Sequence, residues 1–166
     1  MRTLARDSIR YNPMSYHNGS VWPHDTALCA AGFARYGNKE GAVHWLDELF
    51  GAATNFAMRM PELHCGFQKR PGEPPIAYPV ACLPQAWSAG CVFMLLQACL
   101  GLTIDAMQGE VRIERPALPS EIDRLQIRGL SVAGSSIDLD FERMQGRVVA
   151  GPAGPIPSQL RVSVFL

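Results

Sequence analysis

A chain of 166 residues fits one domain and excludes a large multidomain enzyme. Hydrophobic residues at 48% and charged residues at 18% match a folded protein and exclude intrinsic disorder and collagen-like repeats. Fifteen Lys and Arg balance fifteen Asp and Glu, so nothing electrostatic favours nucleic acid or an anionic membrane as a partner.

The first helix is predicted to start at Pro23, which suits a first helical position, and to close at Gly37-Asn38. It carries Ala27, Leu28, Ala31 and Ala34 at helical spacing. The second has Ala42, Trp45, Leu46, Leu49, Phe50, Ala53 and Phe56 on one stripe and should end near Met60, just before Pro61. From Gly66 to Leu83 the prolines Pro71, Pro74, Pro75 and Pro79 exclude a helix and predict a long loop of the kind that walls or covers a site. A third helix begins at Pro84 and is apolar nearly all round, as expected for an inner helix covered on most sides. Its apolar run from Ala86 to Leu102 is broken by Ser88, Gly90, Gln97 and Gly101, which favours a buried helix over a membrane span.

After Gly101 the period changes to two. Val111-Arg112-Ile113-Glu114, Leu125-Gln126-Ile127-Arg128 and Ile137-Asp138-Leu139-Asp140-Phe141 alternate as strands of an antiparallel sheet, with a hairpin turn at Gly134-Ser135. A Gly- and Pro-rich stretch from Gly151 to Pro157 precedes a last strand, Leu160 to Phe165. The chain therefore divides into a helical segment, 1–104, and a β-rich segment, 105–166.

Five cysteines, Cys29, Cys65, Cys82, Cys91 and Cys99, form an odd set without a C-x-x-C pair, so neither a disulfide framework nor a zinc ribbon is indicated. The stretch Met1 to Asp7 has no apolar core of signal-peptide length, and a cytoplasmic location is expected. His17, His24 and His64 show no metal-ligand spacing with Cys29 or Cys65, and no metal is expected. There is no G-x-S-x-G elbow, P-loop or dinucleotide turn.

The densest polar and aromatic cluster runs from Tyr16 through His17, Asn18, Gly19, Ser20, Val21, Trp22, Pro23 and His24 to Asp25. Sugars need this mixture: hydroxyls want carboxylate, amide and imidazole partners, and the apolar face of the ring wants an aromatic platform. Asp25, in the first turn of a helix, would be held ionised by the helix dipole and could accept two hydroxyl protons. The competing assignment makes Trp22 a core anchor and Asp25 a helix cap. Glu62, flanked by apolar residues in Met60-Pro61-Glu62-Leu63-His64-Cys65, is positioned rather than solvated, as a catalytic base or nucleophile must be. Its competing assignment is a capping residue after Pro61.

Several stretches together resemble the C-terminal part of bacterial glycogen-debranching-enzyme-like proteins, the amylo-alpha-1,6-glucosidase and mannosylglycerate-hydrolase-like glycoside hydrolases. They are Tyr11-Asn12-Pro13 and Tyr16 to Asp25, Pro61-Glu62-Leu63 with Cys65-Gly66-Phe67, Arg70-Pro71-Gly72, Tyr78 to Cys82, and Pro84-Gln85-Ala86-Trp87-Ser88-Ala89-Gly90. The resemblance covers roughly residues 10 to 143 in order. It implies a mainly α fold, the C-terminal portion of an (α/α)6 toroid with about three long helices, followed by a small antiparallel sheet. It further implies hydrolysis of α-glucosidic bonds of the glycogen or oligosaccharide type by an inverting mechanism. By resemblance, Glu62 is the base that activates water, and Tyr16, His17, Asn18, Trp22, His24, Asp25, Gln85 and Trp87 surround the sugar.

Inverting hydrolysis uses two carboxyl groups, roughly 6.5 to 9.5 Å apart, and water, so no cofactor is implied. By resemblance the general acid comes from a missing N-terminal part, and no carboxylate here obviously replaces it: Asp47 and Glu48 sit on the second helix without a loop context, while Asp105 and Glu110 lie at the start of the sheet. The expected partners are thus a carbohydrate and a missing N-terminal half, supplied as a separate chain or replaced by self-association. The alternative is a truncated, non-catalytic remnant or partner-dependent subunit that at most binds carbohydrate.

Overall fold

A computed structural model describes residues 1–166. Three helices, α1 (Pro23–Arg35), α2 (Lys39–Ala53) and α3 (Ala86–Leu100), come first. Six strands come after them: β1 (Leu102–Asp105), β2 (Glu110–Glu114), β3 (Arg124–Val132), β4 (Ser135–Met144), β5 (Arg147–Pro152) and β6 (Arg161–Phe165).

The expectation of a mainly α chain forming the C-terminal portion of an (α/α)6 toroid is overturned. The helices are only 13, 15 and 15 residues long, and the strands occupy a comparable share of the chain. The physical reason is the extent of each period. The three-and-four spacing is confined to those helices, the flanking segments 1–22 and 57–85 have neither period, and alternation governs most of the chain after Gly101.

The helices begin where local chemistry lets them. Pro23 opens α1, its missing N–H being one that no helical carbonyl would have met, and the Thr26 hydroxyl donates to the Trp22 carbonyl at 2.9 Å. Asn38 caps α2 by accepting from the Gly41 N–H at 2.8 Å. Gln85 rather than Pro84 precedes α3, its side-chain oxygen accepting from the Ala86 N–H at 2.9 Å.

The ends are equally local. α2 stops at Ala53, short of the expected Met60: one 3₁₀ turn, Thr54–Phe56, leads into Ala57 and Met58, both in the left-handed region at φ 52° and 60°. Ala27, Ala30 and Ala34 of α1 let it approach Leu46 and Leu49 of α2 and Cys91 and Leu95 of α3 closely, and these form the helical core. α3 differs from the expected inner helix, because Ala86, Ala89, Gly90, Phe93 and Gln97 along one side stay exposed or half-exposed. No helix is long and apolar enough to cross a membrane.

The strands form two three-stranded sheets, ordered β1-β2-β6 and β3-β4-β5; the second is the small antiparallel sheet that was expected, and the first is additional to it. All neighbours are antiparallel except β2 and β6, which run parallel with Glu110 opposite Arg161 and Glu114 opposite Phe165. Hairpins at Ala133-Gly134 and Gln145-Gly146 place both central residues at positive φ, the backbone twist that a tight antiparallel turn requires. Inward residues of both sheets, among them Val111, Ile113, Ile137, Leu139 and Phe141, share a second core. Leu96 of α3 touches both cores and ties helices to sheets.

Gly101 joins α3 to β1 in the left-handed conformation, φ 63°, and a Cβ there would lie 1.9 Å from the Glu114 carbonyl oxygen. Gly101→Ala is expected to destabilise the fold by about 2–3 kcal/mol. Gly51→Ala, on α2 with nothing within 4 Å of the new carbon, should instead stabilise it by about 0.5–1 kcal/mol. Urea unfolding midpoints moving in opposite directions are the expected result; equal shifts would contradict the backbone assignment.

Candidate functional site

Met60 to Gly66 crosses the helical half as an extended segment held on both flanks. The Glu62 N–H donates to the Cys82 carbonyl at 2.9 Å and the Gln85 N–H to the Met60 carbonyl at 3.1 Å. Beyond, His64 exchanges backbone bonds with Val21 at 2.9 and 3.0 Å, Cys65 donates to Ile76 at 2.9 Å, and Gly66 donates to Pro13 at 2.8 Å. The three loops that carry the sequence motifs, 11–22, 60–67 and 76–85, are thereby joined into one unit.

Glycine makes the closest approach possible. A Cβ on Gly66 would stand 1.7 Å from the Gly19 carbonyl oxygen, and one on Gly19 would stand 2.5 Å from the Asn12 carbonyl oxygen. Tyr11 closes the arrangement, its hydroxyl donating to the Gly66 carbonyl at 2.7 Å.

Glu62 is 8% exposed, and both carboxylate oxygens have donors. The Tyr16 hydroxyl donates to Oε1 in a short hydrogen bond, and the Cys82 N–H donates to Oε2 at 3.3 Å. Each carboxylate oxygen has a further lone pair to accept from a third group. The Tyr16 phenol has its pKa pushed up to about 12, chiefly by its hydrogen bond to Glu62, then by burial and by the negative charge beside it. It therefore remains a donor throughout the neutral range.

Around this pair stands an aromatic wall. Tyr16 meets His17, Trp22 and Tyr78 edge-on at centroid distances of 4.7, 4.8 and 5.7 Å, and His17 and Trp22 lie parallel at 5.9 Å. Ser20, wholly buried, sets its geometry: the hydroxyl donates to the Tyr16 carbonyl at 2.6 Å and accepts from the Trp22 indole N–H at 3.0 Å. The indole also donates to the Tyr16 carbonyl at 3.0 Å. Trp22 is therefore hydrogen-bonded by its edge and half-buried, and it belongs to neither hydrophobic core.

The structure brings Glu62, Tyr16, His17 and Trp22 together. It does not bring Asp25 or His24 into that hydrogen-bonded group: Asp25 sits exposed on the first turn of α1 with His24 Nδ1 3.4 Å from its carboxylate. Asn18 is exposed and contributes backbone contacts, accepting from the Asn12 N–H at 2.9 Å. The Gln85 oxygen is engaged in capping α3, and Trp87 is 46% exposed near the start of that helix. Sequence reasoning missed Tyr78, the Cys82 N–H, Ser20 and Ser88, whose buried hydroxyl lies 3.5 Å from the Glu62 carbonyl. The only sequence signal for them is their place inside the motif-bearing stretches.

No group of three or more His, Cys, Asp or Glu side chains is placed to hold a metal ion. The His64 ring lies against Phe56 with Nδ1 3.1 Å from the Cys65 carbonyl, and burial lowers its pKa. A cleft of about 810 Å³ between α2 and the proline-rich loop is lined by Val21, Trp45, Leu49, His64, Phe67 and Ile76 among others. It contains none of Tyr16, Trp22 or Glu62. Compared with known proteins, the chain matches no family model and no curated protein at a significant level.

Because the Tyr16 phenol holds its proton more tightly folded than unfolded, it favours the folded state fully below its unfolded value near 10. That contribution is lost as pH rises through about 12. Alkaline titration followed by phenolate absorbance should show a tyrosine step near 12. In Glu62→Gln that step should fall toward 10. A late step unmoved by Glu62→Gln would rule out the carboxylate as its cause.

Proposed function

We propose that this chain supplies the base side of a glycoside hydrolase site acting on α-glucosidic bonds, in the group of glycogen-debranching-enzyme-like proteins that its motifs resemble. Glu62 is the base. It accepts a proton from a water molecule while the water oxygen forms a bond to the anomeric carbon and the bond to the leaving oxygen breaks on the opposite face. The Tyr16 hydroxyl and the Cys82 N–H hold the carboxylate in place, and Trp22 with His17 and Tyr78 offers ring faces and edges to the sugar. His24, Asp25, Asn18, Gln85 and Trp87 are the polar and aromatic groups available at greater reach.

The observation that carries this proposal is the buried carboxylate Glu62, hydrogen-bonded through both oxygens and roofed by an aromatic cluster. Positioning of this kind is what general-base chemistry demands, and aromatic rings are what a pyranose face selects. No other carboxylate among residues 1–166 is hydrogen-bonded into that group, so in this proposal the acid that protonates the leaving oxygen lies outside these residues. The same observation favours a second reading, carbohydrate binding without turnover.

α-Glucosyl fluoride separates the two, since fluoride departs without a proton and a base alone suffices. The expected result is fluoride release giving β-glucose first, lowered at least about 100-fold in Glu62→Gln. Saturable heat with maltose should persist in Glu62→Gln and vanish in Trp22→Ala. Heat without fluoride release would leave binding as the function; the absence of both signals would remove both readings.

A further inference from the structure

Ser20 is wholly buried, and both of its chain neighbours are docked on the segment that carries Glu62. On one side the Gly19 carbonyl lies against the Cα of Gly66, and on the other Val21 exchanges backbone bonds with His64 at 2.9 and 3.0 Å. The backbone of Ser20 itself is held twice more. Its carbonyl accepts from the Thr3 N–H at 3.0 Å, and its N–H donates to the Ser15 carbonyl at 3.3 Å. The place of this residue relative to Glu62 is therefore set by main-chain contacts.

From that fixed point the hydroxyl reaches both rings beside the carboxylate. It donates to the Tyr16 carbonyl at 2.6 Å and accepts from the Trp22 indole N–H at 3.0 Å. Tyr16 is thereby held at two ends, its carbonyl by Ser20 and its phenol by Oε1 of Glu62. Trp22 stands edge-on to the Tyr16 ring with centroids 4.8 Å apart, so the indole that Ser20 fixes also braces the phenol from the side. The contacts close a ring: from Glu62 through His64 and Val21 to Ser20, through its hydroxyl to Tyr16, and back to Glu62. A hydrogen bond weakens steeply as its angle departs from linearity, so the phenol serves the carboxylate only while that ring holds.

The arrangement uses the oxygen of Ser20 more than its volume. With alanine in its place the indole N–H still donates to the Tyr16 carbonyl, 3.0 Å away, so no buried donor or acceptor is orphaned and the cost to folding is small. Bulk water has no access to a wholly buried position and does not stand in for the hydroxyl. What disappears is the link between the Glu62 segment and the Tyr16 main chain.

We infer that Ser20 is a positioning residue for the Glu62 carboxylate: its hydroxyl, acting through the Tyr16 carbonyl and the Trp22 indole, keeps the Tyr16 phenol on Oε1 and so aims the carboxylate. Its consequence for catalysis rests on the glycosidase reading, in which Glu62 is the base. Being wholly buried, Ser20 touches neither the sugar nor the attacking water.

Two readouts on the full chain test this role. In Ser20→Ala the tyrosine step near 12 should fall toward 10, with far-ultraviolet circular dichroism recorded at each pH so that only folded protein is compared. Ser20→Cys fills the space with a thiol that is a weak donor and acceptor, and it should behave like Ser20→Ala. A folded Ser20→Ala chain whose step stays near 12 would overturn the inference. So would a Ser20→Cys chain that matches the unaltered one, because packing and not the hydroxyl would then set the geometry. On α-glucosyl fluoride, Ser20→Ala should lower kcat about 10-fold or more with little change in KM, as misaligned chemistry does and lost binding does not. An unchanged kcat would also overturn the inference. No fluoride release from the unaltered chain would remove the glycosidase reading without touching the tyrosine step, so the two failures are told apart.

Discussion

The carbonyl of Gly19 lies against the Cα of Gly66 at a separation no side chain could share, and the motif-bearing loops are arranged around that contact. With Gly66 in place, its N–H reaches Pro13 and its carbonyl takes the Tyr11 hydroxyl, while two residues earlier His64 pairs with Val21. Trp22 then starts α1 at a defined height, and Tyr16 comes within reach of Glu62. None of these loops has a hydrophobic core of its own. Their order comes from backbone hydrogen bonds made across them, and those bonds need the two chain segments to approach as only glycine permits.

That dependence explains which parts of the site are legible in the sequence. Glu62 stands out because apolar neighbours on both sides leave a carboxylate little access to water, a local signal. Tyr16, His17 and Trp22 stand out as a dense aromatic and polar run, also local. The Cys82 N–H and Tyr78 reach the same place only because the proline-rich loop doubles back and pairs residue 82 with residue 62. Twenty residues of irregular chain carry no periodicity that would signal such a return. Asp25 is the reverse case: its position on the first turn of α1 is legible, but which side of the helix faces the Glu62 carboxylate is not.

In the fold, elements whose boundaries are chemical are legible and those defined by distant pairing are not. Pro23 and the Gly37-Asn38 pair mark α1 within a residue or two, and Ile137, Leu139 and Phe141 alternate cleanly because β4 is the central strand of its sheet with one face buried. β1 has a single buried residue, and β5 contains Gly151 and Pro152, so both resemble loop until their partners are known. The larger error lies in architecture. Three amphipathic or apolar helices are compatible with a ring of many or a cluster of three, and the choice rests on what surrounds them, which periodicity does not encode. α3 is the instructive element: an all-round apolar composition predicts a covered helix, yet Phe93 projects outward.

The parallel pairing of β2 with β6 has a consequence for the order in which the chain takes shape during synthesis. β1 and β2 are adjacent in the chain and can form a hairpin at once, and β3, β4 and β5 can zip up as a meander in sequence. β6 enters on the far edge of β2, with partners such as Val111 and Val162 separated by some fifty positions. Until β6 has left the ribosome, the outer edge of β2 presents unpaired backbone groups next to Val111 and Ile113, side chains that will become core. The nascent chain thus passes through an interval in which its helical part and one sheet are complete while the other sheet has an open, sticky margin. A chaperone acting on this protein would find its target there.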